Sequence, residues 1–383
     1  MKKTRVVLQR LDSYDRHPTK AAIEELLRPL GGISAFVRPG QRVLLKPNML
    51  AGKGVEAAVT THPEIVRAVI ELAQSAGGIV SVGDSPGVGT PEQVAQRCGI
   101  LAVIKETGAT FAPFSESIRI TPRSGTFHHF DIARDIVDAE VIINLPKLKT
   151  HQMMGMTGAV KNLFGAVVGL RKPHVHLQAG ADKGFFALML LELAEEIRPA
   201  LTIVDGVLAM EGDGPGSGDP ILLGVLLAGV EPMAVDVVAA ELTGLAPETI
   251  WTLSEAKRSH RPWTSLEDID LCGAPLAALR PRAFKPAKDT AVHFGVPKLL
   301  QRPLRRALSA RPVVDLKKCR RCGICVASCP PHAMAIRNDR LHIDEERCIL
   351  CFCCHELCPY GALHSQQGLI LRLSQKFGRL RRR

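Results

Sequence analysis

Along the first 280 residues, short apolar runs alternate with stretches in which apolar side chains recur every three or four positions. The short runs predict strands at 4–9, 42–46, 79–83, 140–144, 201–205 and 221–228. The longer period predicts helices at 20–30, 63–76, 184–197 and 233–242, and Thr90-Pro91 opens another. The helix at 63–76 carries proline in its first turn and Gly77 just past its end, the expected asymmetry of helix termini. Alternation of this kind predicts an α/β layered domain with a largely parallel sheet over residues 1–280.

The pattern changes after residue 280. Residues 281–312 are rich in Pro and Arg and read as a basic linker. Residues 313–362 form an internal duplication, with the run Cys-x-x-Cys-x-x-Cys-x-x-x-Cys-Pro at 319–330 and again at 348–359, and read as a small α+β, ferredoxin-like two-cluster domain. The tail, 363–383, places Ile370, Leu373, Phe377 and Leu380 on one helical stripe and Arg372, Lys376, Arg379 and Arg383 on another. That is the signature of a basic amphipathic helix on an anionic membrane or acidic partner. Packing of the apolar stripe on the helix's own domain is the alternative.

Two cysteine runs carry the duplication: Cys319-x-x-Cys322-x-x-Cys325-x-x-x-Cys329-Pro330 and Cys348-x-x-Cys351-x-x-Cys354-x-x-x-Cys358-Pro359. Cubane clusters need four thiolates, and in the bacterial ferredoxin pattern the fourth cysteine of each run reaches the other cluster. The expected ligand sets are therefore Cys319, Cys322, Cys325 and Cys358, and Cys348, Cys351, Cys354 and Cys329. Zinc favours paired ligands rather than three plus one, and neither zinc nor disulfides account for the doubled run. Cys98, Cys272 and Cys353 are left over, and Cys353 reads as a bystander between two ligands. Bare thiols and clusters point to a reducing compartment.

Charge and composition sharpen the picture. Of the net +11, residues 281–383 hold 21 Lys/Arg against 7 Asp/Glu, leaving 28 and 31 for the rest of the chain. Aromatic residues are scarce, which argues against base stacking, so no nucleic-acid partner is expected. No signal-peptide core develops at the N-terminus, and the longest apolar stretch is broken by Glu231, Pro232 and Asp236. The expected location is cytoplasmic, with peripheral contact at the inner membrane face if the tail binds lipid.

Candidate chemistry gathers where strands should end, as in other open α/β sheets. Lys46-Pro47-Asn48 follows one strand. Gly83-Asp84-Ser85-Pro86-Gly87-Val88-Gly89 follows another and could cradle an anion on backbone amides. The densest segment holds Lys147, Lys149, His151, Lys161 and Asn162, and no Asp or Glu occurs between residues 141 and 181. Uncompensated cations in apolar sequence suggest an anionic ligand held by lysine; snorkelling from a helix edge is the alternative. His174 and His176 alternate, so on a strand both would face one side. Glu211-Gly212-Asp213-Gly214-Pro215-Gly216 reads as a flexible acidic loop able to close over the pocket, or as an ordinary turn.

Lys46-Pro47-Asn48, Gly83-Asp84-Ser85-Pro86-Gly87, Asn144 to His151, Thr157 to Gly165 and Asp205-Gly206 together resemble the "domain of unknown function 362" family. Members of that family often carry a fused ferredoxin-like pair of clusters, which implies an intracellular iron–sulfur protein and supplies no reaction. His151-x-x-x-Gly155-x-Thr157-Gly158-x-x-Lys161 is also similar to a stretch of the nickel-pincer lactate racemases. That likeness implies an acid/base role for His151, a nucleotide-derived cofactor on Lys161 and nickel near His174 or His176. Thr157 and Ala159 depart from the racemase pattern, and its Asp-x-Thr-Arg-Pro has no counterpart.

The reading from sequence is an iron–sulfur oxidoreductase. Two 4Fe–4S clusters, fed by a redox partner protein, would serve an anionic small molecule held by Lys46, Asn48, Asp84, Ser85, Lys147, Lys149, Asn162, His174 and His176. His151 would be the proton donor and Lys161 its catalytic partner. A non-catalytic electron carrier and a pincer-type racemase or lyase with structural clusters are the alternatives.

Overall fold

The computed structural model describes residues 3–169, 171–179, 182–288 and 310–368. The amphipathic stripe at 370–383 and most of the basic linker therefore lie outside the described residues.

Sixteen strands are present among the described residues: β1 (Thr4–Arg10), β2 (Arg42–Pro47), β3 (Ile79–Val82), β4 (Thr110–Phe111), β5 (Ser117–Ile120), β6 (Phe130–Ala133), β7 (Val141–Leu145), β8 (Lys147–His151), β9 (Gly155–Thr157), β10 (Leu201–Glu211), β11 (Asp219–Gly229), β12 (Ile269–Gly273), β13 (Ala310–Val314), β14 (Met334–Arg337), β15 (Arg340–Ile343) and β16 (Leu363–Gln367). The main sheet runs β12-β1-β11-β10-β7-β2-β3-β4, with β8 joined to β10 and β9 to β8. Its β7-β2-β3-β4 half is parallel, while β11 runs antiparallel to both β1 and β10.

Period-two alternation divides the core into two layers. Val43, Leu45, Val141, Ile143 and Ile203 face one layer, whereas Leu44, Ile142, Val204 and Leu227 face the other. The first layer is covered by α1 (Arg16–Leu27), α2 (Pro63–Ser75), α3 (Pro91–Arg97) and α4 (Ile100–Thr107). On the opposite face, beyond α5 (Arg134–Asp138), lie α6 (Ala159–Asn162), α7 (Arg171–Ala179), α8 (Lys183–Ile197), α9 (Pro232–Thr243), α10 (Trp251–Arg258) and α11 (Leu276–Leu279). Thr90 closes a capping box with Gln93, which fixes where α3 begins. The domain is α/β with a largely parallel sheet, as the alternation implied.

Two local expectations fail. The lysine-rich segment is neither a helix edge nor a loop but a buried strand, β8, folded back on β9. His174 and His176 lie in α7, not on a strand. Pro173 falls within its first turn, where proline is tolerated, and positions two apart on a helix do not share a face.

The ferredoxin-like unit is tied by β13–β16 and β14–β15, so it spans the described residues 310–368. Its duplication is visible in the backbone. Left-handed residues recur in pairs at equivalent places: Arg321 and Leu350, Gly323 and Phe352, His332 and Gly361. Ala333 N–H donates to Cys329 Sγ at 3.2 Å, and Ala362 N–H donates to Cys358 Sγ at the same distance. Two equivalent loops are thus wrapped around two equivalent sulfur nests.

Candidate active site

A cavity of about 400 Å³ lies between the α/β domain and the ferredoxin-like unit, at the C-terminal ends of β2 and β3. The α/β domain lines it with Asn48, Lys149, His151, Lys161, Lys172 and His176, and with the Asp84–Gly89 loop. The ferredoxin-like unit closes it with Ile324, Cys353, Glu356 and Leu357. Pro215 of the Glu211–Gly216 loop also reaches the wall. The acids of that loop point elsewhere: Glu211 pairs with Lys285 and Asp213 with Lys288.

The cations sort into three kinds. Lys46 and Lys147 are not free for a ligand, contrary to the reading of the segment as uncompensated. Lys46 Nζ lies 2.8 Å from Asp84 Oδ1, and Lys147 Nζ lies 2.8 Å from Asp205 Oδ2, each pair fully buried. Tyr14 hydroxyl donates to Asp205 and accepts from Lys147, completing a second network away from the cavity. Burial pushes both lysines down and the paired carboxylates oppose it.

Lys149 is ordered by neutral groups. Its Nζ donates to Asn48 Oδ1 and Val59 O, Asn48 donates to Asn162, and Asn162 donates to Asn144, whose amide ends on Ala159 O. Burial holds Lys149 well below the usual lysine range, and Lys161 lowers it further. Lys172, which sequence reasoning missed, donates to Ser85 O, Ser85 Oγ and Pro86 O, so it braces the glycine loop. Burial brings its pKa down to about 7.

Lys161 is the third kind. Its ammonium sits 5.7 Å from the Phe164 ring centroid and has no hydrogen bond or ion pair among the described residues. Burial lowers its pKa, and Glu356 opposes this.

His151 is fixed in one tautomer. Nδ1 accepts from the backbone N–H groups of Met153 and Met154 at 3.1 and 3.2 Å, so the ring proton belongs on Nε2. Nε2 faces Glu356 Oε1 at 3.0 Å, but the two are not aligned for a hydrogen bond, and both atoms are buried without another partner. Burial, then Lys161, brings His151 down to about 4, so the ring is neutral at pH 7. Protonating Nδ1 would break two backbone hydrogen bonds. The geometry therefore presents His151, the proton donor expected from sequence, as an N–H donor with a fixed tautomer. Glu356 stays ionised, held well below the carboxylate range by His151 and Lys161 against the cost of burial.

Thr157 Oγ1 and His176 Nδ1 are further buried polar atoms of this cavity's lining residues without hydrogen-bond partners among the described residues. Such atoms are rare in native interiors unless water or a ligand satisfies them. Burial brings His176 down to about 3. The side chain of His174 lies outside the described residues. Among the described residues no three His, Cys, Asp or Glu side chains converge on one ion.

Cubane thiolates bind four different irons and need not converge on a point. Cys319, Cys322, Cys325 and Cys358 line one small cavity, and Cys329, Cys348, Cys351 and Cys354 line another. Burial, then the neighbouring Cys358, Cys322 and Cys319, pushes Cys325 up to about 11. Four thiolates this close repel one another unless a cationic core sits among them, so both nests suit an iron–sulfur cluster. Cys353 is common to the second nest and the 400 Å³ cavity.

Fold and nests together define an α/β domain with a fused two-cluster ferredoxin unit. The chain belongs to the family described as Domain of unknown function (DUF362), which it matches over residues 43–241. Residues 318–362 match a 4Fe-4S dicluster domain, so the chain is an iron–sulfur protein. It is 39% identical over 296 residues to the thylakoid-associated protein sll1697 of Synechocystis sp., covering 77% of this chain and 92% of that one. Against the lactate racemase apoprotein from Thermoanaerobacterium thermosaccharolyticum, the TM-score is 0.41 at 12% identity, over 64% of this chain and 58% of that one. That likeness is too distant to transfer chemistry. No helix among the described residues is long and apolar enough to cross a membrane.

Proposed function

We propose that this chain is an iron–sulfur oxidoreductase that passes electrons to an anionic small molecule held in the 400 Å³ cavity. One observation carries the reading: Lys149, Lys161, Lys172, His151 and His176 form one wall, and the helical turn bearing Cys353 and Cys354 forms the other. In this reading Cys319, Cys322, Cys325 and Cys358 hold one cluster, and Cys348, Cys351, Cys354 and Cys329 the other. When bound, such clusters supply electrons one at a time.

The protein's own groups divide the remaining work. Lys161, lowered by burial and without a hydrogen bond, pairs with the ligand's carboxylate or phosphate and is the group able to give up a proton. His151 donates a hydrogen bond from Nε2 toward a ligand oxygen, while Met153 and Met154 keep its ring fixed. Lys172 holds the Ser85–Gly89 loop in shape. The ferredoxin-like unit excludes water by covering the cavity, which strengthens each of these interactions. Peripheral membrane contact belongs to the same reading, supported by the basic tail and by a relative named for its thylakoid association.

Inorganic phosphate and simple dicarboxylates are the probes. Either class should raise the unfolding midpoint of anaerobic holoprotein, by about 3 kcal/mol of stability at a hundredfold excess over Kd. Lys161→Ala should abolish the shift. Absence of any shift in the wild-type protein across both classes, at concentrations near 10 mM, would remove the basis of the proposal (a weak site still gives about 1.4 kcal/mol at tenfold excess).

A further inference from the structure

The two sulfur nests differ in exposure. Cys329, Cys351 and Cys354 are buried, and Cys353 beside them faces the cavity. Cys322 of the other nest is exposed, and that nest is also lined by Arg320, Arg321 and Tyr360. The second nest faces inward and the first faces solvent.

The surface over the first nest is cationic. Lys317, Lys318, Arg320 and Arg321 surround Cys319 without an acid among them, and all four are exposed. Arg321 contacts Asp339, but Lys317, Lys318 and Arg320 have no ion pair among the described residues. Three cations without an ion pair within four residues produce a local positive field, and the acid nearest them in sequence, Asp315, accepts the Lys317 backbone N–H. Apolar area lies within the same patch: Leu316 is 55% exposed and Tyr360 48%. An apolar centre with a cationic rim is the composition of a transient protein-docking face.

Resting on the dicluster reading above, we infer that an acidic one-electron carrier protein docks on the Lys317–Arg321 face and reduces the chain through the solvent-facing nest. The carrier is oxidised by one electron and the dicluster unit is reduced by one, so each two-electron conversion in the cavity takes two dockings. Electrons enter at the exposed nest and leave beside Cys353. Charge complementarity selects the occupant. A carrier with carboxylates around its own cofactor meets three unpaired cations here, whereas a basic carrier is repelled.

The test uses full-length anaerobic holoprotein and a flavodoxin, an acidic carrier, as the probe. Its reduced form should reduce the clusters with a second-order rate constant that falls about tenfold or more from low salt to roughly 0.5 M, because steering charges are screened. In the double variant Lys317→Glu, Lys318→Glu, neither of which lines a sulfur nest, that rate should fall at least about tenfold at low salt. Calorimetric affinity for oxidised flavodoxin should weaken by a similar factor. Reduced methyl viologen, a small cation with no need of a docking face, should reduce the variant at least as fast as the wild type. That result also shows that the clusters survive the substitutions. A salt-independent flavodoxin rate in the wild type, which needs no variant, overturns the inference. So does a variant that loses binding to phosphatidylglycerol vesicles while its flavodoxin rate is unchanged, since the face would then belong to a membrane. Neither substituted residue lines the cavity, so either failure leaves the phosphate and Lys161→Ala result standing.

Discussion

Gly165 sits against the Lys46–Asp84 pair, and its substitution tests whether that pair organises the cavity. A methyl group on its Cα would run into Asp84 Oδ1 and Lys46 Nζ. Neither can retreat. The side chains are 0% and 4% exposed, Lys46 Nζ also donates to Asn162 O at 2.6 Å, and Asp84 Oδ2 accepts Met49 N–H at 2.8 Å. Gly165 O is itself held by Ser85 N–H at 3.2 Å, so backbone movement would distort the glycine loop. Breaking a buried pair costs about 3–5 kcal/mol, and overpacking without a break about 1–3. Gly165→Ala should therefore destabilise by about 3 kcal/mol. At roughly 2–4 °C per kcal/mol for a domain of 150–250 residues, the midpoint should fall by about 6–12 °C. Gly184→Ala is the control, because Gly184 lies in α8 with ordinary φ and a Cβ there would meet nothing nearer than Asp182 Oδ1 at 3.3 Å and Glu255 Oε2 at 3.5 Å. There alanine should be neutral or stabilise by about 0.5–1 kcal/mol through helix propensity. Anaerobic denaturant titration of both variants measures the difference. A Gly165→Ala protein within 1 kcal/mol of wild type, or equal losses in the two variants, would refute the close-approach argument.

Other consequences are also measurable. Cys329→Ser should lower iron from about eight to about four per chain, with loss of the cluster nearest the second run; unchanged iron would contradict the crossover. Glu356→Gln should tighten phosphate binding by on the order of tenfold, since the carboxylate occupies the field a ligand anion would use; weaker binding would count against that reading. His62, His151 and His176 have folded pKa values of about 4, 4 and 3, below the free value, so the unfolded chain binds more protons below pH 6.5. Their stabilisation is full above pH 6.5 and lost as pH falls toward 4, at up to about 1.4 kcal/mol per pH unit each. His176→Asn should flatten that slope by about a third. Intact mass should show Lys161 unmodified when the host supplies nickel, and an adduct there would revive the pincer chemistry.

What the chain decides alone is local. Thiolate spacing of two residues is a constraint between near neighbours, so Cys319 to Cys329 and Cys348 to Cys358 announced both nests before any fold was known. The same holds for the strands, whose period-two runs survive almost unchanged as β1, β2 and β7, and for Thr90 at the start of α3. The density of Lys, His and Asn between 144 and 162 marked the right segment. Tertiary structure decided which of those charges are available. Lys46 is neutralised by Asp84, Lys147 by Asp205, and the anion beside His151 comes from Glu356, far downstream in the ferredoxin-like unit. No spacing rule encodes such pairs, because a buried charge takes whichever partner the sheet order and domain docking bring within about 4 Å. For the same reason Lys172 was invisible until α7 placed it under the glycine loop, and His174 and His176 read as a strand until that segment proved helical. The sequence determined where cluster sulfur and cationic nitrogen are concentrated; packing determined that Lys161, and not Lys149 or Lys172, is left facing the cavity without a hydrogen bond among the described residues.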